Sequence, residues 1–570
     1  MDAGKRTINE IFNGSRMLEI PFFQRAYVWG EPQWERLLED VETVSRTRTP
    51  YFMGAVILKQ QLTDTSSTVG DVRTIIDGQQ RLTTMSILLK VLCLKNDSLR
   101  KFDKRFRLDD DQPVLQHNHN DIEAYNTIMD LKNAVPIHRK DNISQAYQYF
   151  LDNLNPSKVD FDTVCHAILF VGIDLATDED EQQIFDTINS LGVRLTTAEL
   201  LKNYFFGRDD IAEYEKYWRN VFEKDDETKE YWDREITTGR KKRTFIDLFF
   251  FSFLQIKVQD SSIDVKTEDK LSFSKVEKVF DSYKLFIKNY YANDKRSILE
   301  EIREYASVFR KAINANIIDA ELSPTAGIER LNAIIFALDT TTLVPYVLFV
   351  ERNVQDVSVR NELYDYIESY LMRRLVTRQT TKNYNQLFTD RLILNRILTK
   401  QGFISYLSRQ GDKVNRMPTD NDVKNAFNES MLTNKYATGV LYMIESKIRD
   451  RRRHSTQLLG ISKYSLEHMM PKKWRNHWAF SGDNAAADIR DRKLLTLGNL
   501  TIITQALNAS IRDSDWSTKK SGRGDKGGLR KYAEGIETFS AYLELDVWDE
   551  AAIQDRAAYL STKALKIWGI

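Results

Sequence analysis

Ser465-Leu466-Glu467-His468-Met469-Met470-Pro471, then Leu497-Gly498-Asn499-Leu500-Thr501-Ile502-Ile503, then Asn508: this stretch sets what the chain is expected to be. An acid–His pair stands before a proline, a Gly-Asn-Leu segment reads as a strand, and Asn508 follows nine positions after Asn499. A histidine, an acid and a carboxamide gathered on a small strand–strand–helix unit can hold one divalent cation and activate one water. That is the chemistry of phosphodiester hydrolysis. In this reading His468, as neutral imidazole, is the general base. Glu467 and Asn508 offer the oxygen ligands that a hard cation, Mg2+ or Mn2+, requires. Neighbouring strand residues point to opposite faces. Glu467 and His468 therefore share a site only if the strand ends or bends, as Pro471 would make it do. Each piece alone has a plainer explanation: a lone histidine is usually just hydrogen-bonded, and Gly-Asn is a common hairpin turn. The joint pattern carries the weight.

Basic stretches flank this unit. Arg451, Arg452 and Arg453 precede it, and a glycine-rich segment with Arg523 and Lys526 follows it. Either is a solvated face when taken alone; beside a nuclease centre both become phosphate contacts with a steep salt dependence.

Moving outward, the N-terminal region breaks the helical periodicity of the rest. Phe52–Leu58 reads as a buried strand and Val72–Ile76 as a second. Asp77-Gly78-Gln79-Gln80-Arg81 then leads into a helix over Leu82–Leu94. Asp77 is expected as a helix N-cap, with Gln80 reaching back in a capping box. The same turn suits phosphate binding: helix amides are free, Gly78 permits close backbone approach and Arg81 clamps oxygens. Asp77 fits that role only beside a cation or by orienting a water. Upstream, Gln24, Arg25, Tyr27 and Trp29 combine donors with aromatics. They read either as a hydrophobic anchor or as a surface that recognises phosphate, base edges and rings.

The chain has 570 residues, which predicts three or four domains. Segments 1–210, 211–415 and 416–570 are the expected divisions, the middle one a helical body. Lys+Arg and Asp+Glu each number 82, which argues against a generic nucleic-acid coat but not against a local basic patch. Cys93 and Cys165 are too few for a disulfide framework or a cysteine zinc site, and they fit a reducing, cytoplasmic setting. The N-terminus has no apolar signal region, and no apolar run approaches membrane-spanning length.

The QRxYxW pattern at 24–29, the FMGAVIL strand and IIDGQQRLTT at 75–84 resemble the GmrS-type N-terminal domain. That domain is related to the ParB/sulfiredoxin fold, and Asp-Gly-x-x-Arg is its hallmark. Ile184 to Thr196 resembles the same family's FxxxNxxGxxLT signature. The resemblance implies binding and hydrolysis of a nucleoside triphosphate, GTP or another, in a pocket containing Asp77, Gly78, Gln79, Gln80 and Arg81. It also implies the sensing of modified DNA. There is no Walker A sequence. EHxxP, GNLT and the later Asn508 are similar to the HNH (ββα-metal) motif, especially the GmrD-type C-terminal domain. His468 then matches the base, Asn508 a metal ligand, and Asn499 the asparagine that braces the loop around the histidine. Glu467 stands where many relatives have Asp. A helix lysine of the family is matched loosely by Lys519 or Lys520.

The expected class is thus α+β, predominantly helical: a ParB/sulfiredoxin-like α/β domain, a helical middle region and an HNH nuclease domain. The expected function is a phage-defence endonuclease of the type IV, GmrSD kind that nicks or cuts double-stranded DNA, with monomer and homo-oligomer both open. The substrate could carry a glucosylated base or a phosphorothioate. The alternative is a DNA-modification sensor or NTPase that acts by binding, its nuclease domain silent or released conditionally.

Overall fold

The computed structural model describes residues 2–21, 24, 26–61, 70–177, 196–207, 210–238, 241–409, 414–450, 457–523, 526–532 and 536–570. They fall into two compact units, Met1–Lys216 and Tyr217–Ile570. From Tyr217 onward, the expected segments 211–415 and 416–570 share the second unit. No described helix is long and apolar enough to cross a membrane.

The first unit is built on a mixed sheet of β1 (Asp2–Thr7), β2 (Arg16–Glu19), β3 (Tyr51–Gln60), β4 (Asp71–Asp77), β5 (Leu115–Gln116) and β6 (Ile168–Leu175), in the order β1-β6-β3-β4-β2-β5. The β1–β6 and β3–β4 pairs are antiparallel; β6–β3, β4–β2 and β2–β5 are parallel. Alternation along β3 divides its side chains. Val56 and Leu58 enter the main core, whereas Ile57 joins Ile76, Ile173 and Leu175 in a separate cluster. The helix Gln79–Lys95 starts directly after β4 and is buried on every side from Leu82 to Leu94, which makes it the central helix of the unit. Cys93 and Cys165 are both fully buried, and burial pushes the Cys165 thiol up to about 12.

The second unit is mostly helical. Its helices include Phe245–Val258, buried nearly all round, and Val357–Val376. Buried arginines join early and late parts of its sequence. Arg330 forms two hydrogen bonds with Glu368, Nε to Oε2 at 2.6 Å and Nη2 to Oε1 at 2.7 Å. Arg330 Nη1 also donates to Ser446 Oγ at 3.0 Å, and Trp568 Nε1 donates to Glu368 Oε1 at 3.2 Å. Arg373 donates to the carbonyls of Trp568 (2.6 Å) and Pro418 (3.0 Å) and to Asp420 Oδ1 (2.7 Å). Arg374 donates to Tyr384 OH at 3.3 Å and to the Thr380 carbonyl at 2.8 Å. Removing one partner of such a buried pair strands the other charge, so this network fixes how the late segment seats on the helical body.

Candidate active site

Strand β7 (Tyr464–His468) pairs antiparallel with β8 (Leu500–Thr504), with Leu500 opposite His468 and Thr501 opposite Glu467. The helix Gln505–Ile511 follows β8 at once and carries Asn508. The strand–strand–helix order expected from the sequence is present, although the Gly-Asn pair lies in a 3-10 turn, Leu497–Asn499, and not in the strand. Strand pairing ends at His468, and the chain then turns through Met469 and Met470 toward the buried Pro471.

Asn499 makes that turn rigid. It is wholly buried. Its Oδ1 accepts from the Met470 amide and from Trp548 Nε1, each at 2.9 Å. Its Nδ2 donates to the carbonyls of Met470 (2.8 Å) and Leu494 (3.0 Å). Every polar position of the carboxamide is occupied, so Asn499 cannot touch a substrate; it is a positioning residue that grips Met470, two positions after His468. Gly498 is required for a different reason. A Cβ there would lie 2.2 Å from the Ile553 carbonyl oxygen, because the helix Glu550–Ile567 packs directly onto the turn. From that helix the fully buried Arg556 reaches the carbonyls of Leu497 (3.2 Å), Gly498 (2.9 Å) and Leu500 (2.7 Å). Burial lowers its pKa to about 10, still charged at neutral pH. Arg556 and Trp548 were not singled out from the sequence. The available signal was an arginine inside the apolar stripe Ile553, Ala557, Leu560 and Ala564.

His468 is half-buried, and its ring takes no hydrogen bond or ion pair from a described residue. Burial, then the charges of Lys472 and Lys519, push its pKa down from 6.5 to about 4. The ring is therefore neutral at pH 7, as a general base must be. Asn508 is half-buried. Its Nδ2 donates to Ser465 Oγ and to the Leu466 carbonyl, both at 3.1 Å. Those bonds fix the orientation of the amide and leave Oδ1 without a partner among the described residues.

Glu467 departs from the expectation of a metal ligand. It is 6% exposed and forms an ion pair with Lys519, which is itself fully buried and also donates to the His468 carbonyl at 2.7 Å. Burial pushes Glu467 up and Lys519 down, and each holds the other back. The physical reason is strand alternation: the residue before His468 projects away from it. Lys519, not Lys520, is thus the lysine tied to the site; Lys520 Nζ donates to the Leu545 carbonyl at 2.7 Å. Among the described residues no group of three or more His, Cys, Asp or Glu is placed to hold a metal ion. The donor that remains, Asn508 Oδ1, fits a cation that keeps most of its waters and takes further oxygens from a phosphate, which is the habit of Mg2+.

Arg523 and Lys526 are exposed on a short hairpin of Gly522–Arg523 and Lys526–Gly527, with Arg523 Nη2 donating to Ser514 Oγ at 2.7 Å. Arg451, Arg452 and Arg453 lie outside the described residues.

In the first unit, Asp77 ends β4 and Gly78 is the helix N-cap, with φ of 104°. The capping box does not form. A Cβ on Gly78 would lie 2.8 Å from Val56 Cγ2, and the Gln80 carboxamide points elsewhere, accepting from the amides of Val28 (2.9 Å) and Trp29 (3.3 Å). The first intrahelical bond runs from Leu82 N to the Gly78 carbonyl, so the amides of Gln79, Gln80 and Arg81 face the turn unpaired by the helix. Arg81 Nη2 donates to Asp77 Oδ2 at 3.0 Å. The guanidinium lies on Gly54 (φ of 118°), where a Cβ would stand 2.2 Å from Nη1. Gln79 is 9% exposed and makes no hydrogen bond with a described residue.

The upstream motif is largely internal. Tyr27 is 3% exposed, bonds to Thr84 Oγ1 (2.6 Å) and accepts from Trp34 Nε1 (2.8 Å), so its ring belongs to the core and not to a stacking surface. Gln24 is buried and accepts from Asn203 Nδ2 at 3.0 Å. Trp29 is half-buried against the same core. Arg25, and the second signature from Ile184 to Leu195, lie outside the described residues. Thr196 begins the next helix, Thr197–Phe205, with a capping box to Glu199.

Comparison with known families gives two matches. Residues 8–206 match the N-terminal domain of the GmrSD restriction endonucleases, and residues 417–563 match their C-terminal domain. No curated protein matches the chain. With both domains present in this order over more than half its length, the chain belongs to the GmrSD restriction endonuclease family.

Proposed function

We propose that this DNA endonuclease cuts at the His468–Asn508 centre with the help of one divalent cation, Mg2+ or Mn2+. The Asp77–Arg81 turn binds a nucleoside triphosphate, GTP or another, and licenses cleavage. DNA carrying a glucosylated base or a phosphorothioate is the proposed trigger.

The observation that carries the reading is a neutral histidine whose ring nitrogens have no partner among the described residues, on the strand against which the Asn508 amide is pinned. A nitrogen of His468 takes a proton from the attacking water, whose oxygen displaces the sugar oxygen at phosphorus. Asn508 Oδ1 would hold the cation, which would supply charge stabilisation for the phosphate and leaving oxygen. Asn499 and Arg556 keep the turn fixed, and Lys519 neutralises Glu467 away from the reacting atoms. Lys472, Arg523 and Lys526 bring positive charge to the DNA backbone. In the first unit, the three free helix amides favour a phosphate. The Arg81–Asp77 pair must open or share its charge as the phosphate arrives.

Plasmid cleavage by wild type, His468→Ala and Asn508→Ala, each with and without Mg2+ and GTP, tests the reading. Both variants should keep the wild-type circular dichroism spectrum and lose cleavage. Undiminished cleavage by His468→Ala would remove the site.

A further inference from the structure

Within the second unit, on the helical body, lies a cavity of ≈ 440 Å³. Its floor is apolar, formed by Leu338, Leu371 and Leu375, and Tyr384 and Tyr436 line it as well. Arg378 and Lys382 stand at its edge. Both cations are exposed, and neither has a hydrogen bond or ion pair with a described residue. The same holds for the hydroxyl of Tyr436. Thr433 also lines the cavity; it is the N-cap of the helix Asn434–Ile448, but its side chain makes no capping bond, so the first amides of that helix are not capped there.

The wall of the cavity is firmly set. Arg374 lies against the ring of Tyr384 at 5.6 Å and bonds its hydroxyl and the Thr380 carbonyl. Tyr384 therefore offers only its ring. Met431, 43% exposed, lines the cavity too, and its backbone forms an isolated antiparallel bridge with Thr496. Thr496 leads straight into Leu497-Gly498-Asn499, the turn that braces the His468 loop.

An apolar lining with tyrosine rings, two exposed cations without a partner among the described residues and an uncapped helix start suit one chemistry: a planar ring carrying a phosphate. The volume lies toward the small end of ligand pockets, about 300–1,000 Å³, and so fits one nucleotide and not a longer strand. We propose that this cavity is a second ligand site, separate from the Asp77–Arg81 turn, that binds a mononucleotide, and that occupancy reaches the nuclease turn through the Met431–Thr496 bridge.

The test uses the full chain carrying Arg81→Ala, so that the first unit's turn cannot account for binding. AMP, GMP, CMP and UMP are titrated calorimetrically, with adenosine and inorganic phosphate as controls. At least one mononucleotide should bind at one site per chain. Lys382→Glu and Arg378→Glu should each weaken it on the order of tenfold, as expected for loss of a charge-assisted bond. Leu375→Trp, which fills the half-buried edge of the floor, should block it. Absence of saturable binding by all four nucleotides, unaltered binding in both charge-reversal variants, or adenosine binding as tightly as AMP would overturn the site. Amide exchange over 431–433 and 496–500 should slow together when the nucleotide binds; slowing at 431–433 alone would overturn the coupling. Neither readout involves cleavage, so the outcome is independent of the nuclease assignment.

Discussion

Replacing Asn499 by alanine should damage cleavage through stability and loop order, without touching any reacting atom. The side chain makes four hydrogen bonds from a fully buried position. Each is worth about 1 kcal/mol net, and a donor left unpaired in a buried site costs about 1–3 kcal/mol. The expected loss is therefore roughly 4 kcal/mol, a large part of the 5–15 kcal/mol typical of a domain. The unit spans Tyr217–Ile570. At about 2.1 cal/mol/K per residue its unfolding entropy is about 0.7 kcal/mol/K, so Tm should fall by roughly 5 °C. Asn508→Ala is the contrast: its two bonds, to Ser465 and Leu466, join half-buried groups, and the loss should stay near 1 kcal/mol, hardly more than 1 °C. Calorimetric melting of the full chain, combined with a plasmid-nicking time course at 20 °C, separates the two. Asn499→Ala should melt early and nick slowly; Asn508→Ala should melt almost normally and not nick. An Asn499→Ala protein with wild-type Tm and wild-type nicking would refute the bracing argument.

Lys519→Met should strand Glu467 in its buried site and cost about 3–5 kcal/mol, much of it recovered in the Glu467→Gln/Lys519→Met double variant. With its folded pKa raised above the unfolded value, Glu467 in the single variant lowers stability as pH rises, so the Tm deficit of Lys519→Met relative to wild type should be smaller at pH 5 than at pH 7. Gly54→Ala should displace the Arg81 guanidinium and strain a backbone at φ of 118°, costing about 1–3 kcal/mol. Nucleotide binding by the first unit, followed by fluorescence, should fall with it. His117 is 2% exposed and bonded to Thr83 Oγ1 at 2.8 Å, and burial pushes its pKa from 6.5 down to about 3. Its folded pKa lies below the unfolded one, so its stabilising effect is complete above pH 6.5 and is lost as pH falls toward 3. The loss is on the order of 2 kcal/mol by pH 5, and His117→Gln should flatten the acid limb of a pH–melting curve.

Much of this molecule is legible in local sequence. The apolar run Phe52–Leu58 and helical spacing in Leu82–Leu94 are properties of a few neighbours, and both elements are found with longer ends, although only Val56–Leu58 of the strand are buried and Phe52 is exposed. The same holds for the strand–strand–helix order around His468. What local pattern does not carry is which way a side chain reaches. Gln80 has the spacing of a capping box, yet it serves the amides of Val28 and Trp29, which lie far back in sequence. Tyr27 looks like a stacking residue until the core closes over it. Glu467 looks like a ligand until Lys519 arrives from the helix Trp516–Ser521. The partners of Arg373 and Arg374, among them Trp568, Pro418 and Tyr384, are assembled only by the tertiary fold.

The central claim, that His468 is the neutral base of a nuclease, is tested most directly by the pH dependence of kcat/KM for nicking, measured in saturating Mg2+ and GTP on responsive DNA. The acid limb reports the base in the free enzyme. It should fall near pH 4, following the pKa of His468 lowered to about 4, and His468→Ala should leave no activity to titrate. Cleavage that persists in His468→Ala with the same acid limb would contradict the account.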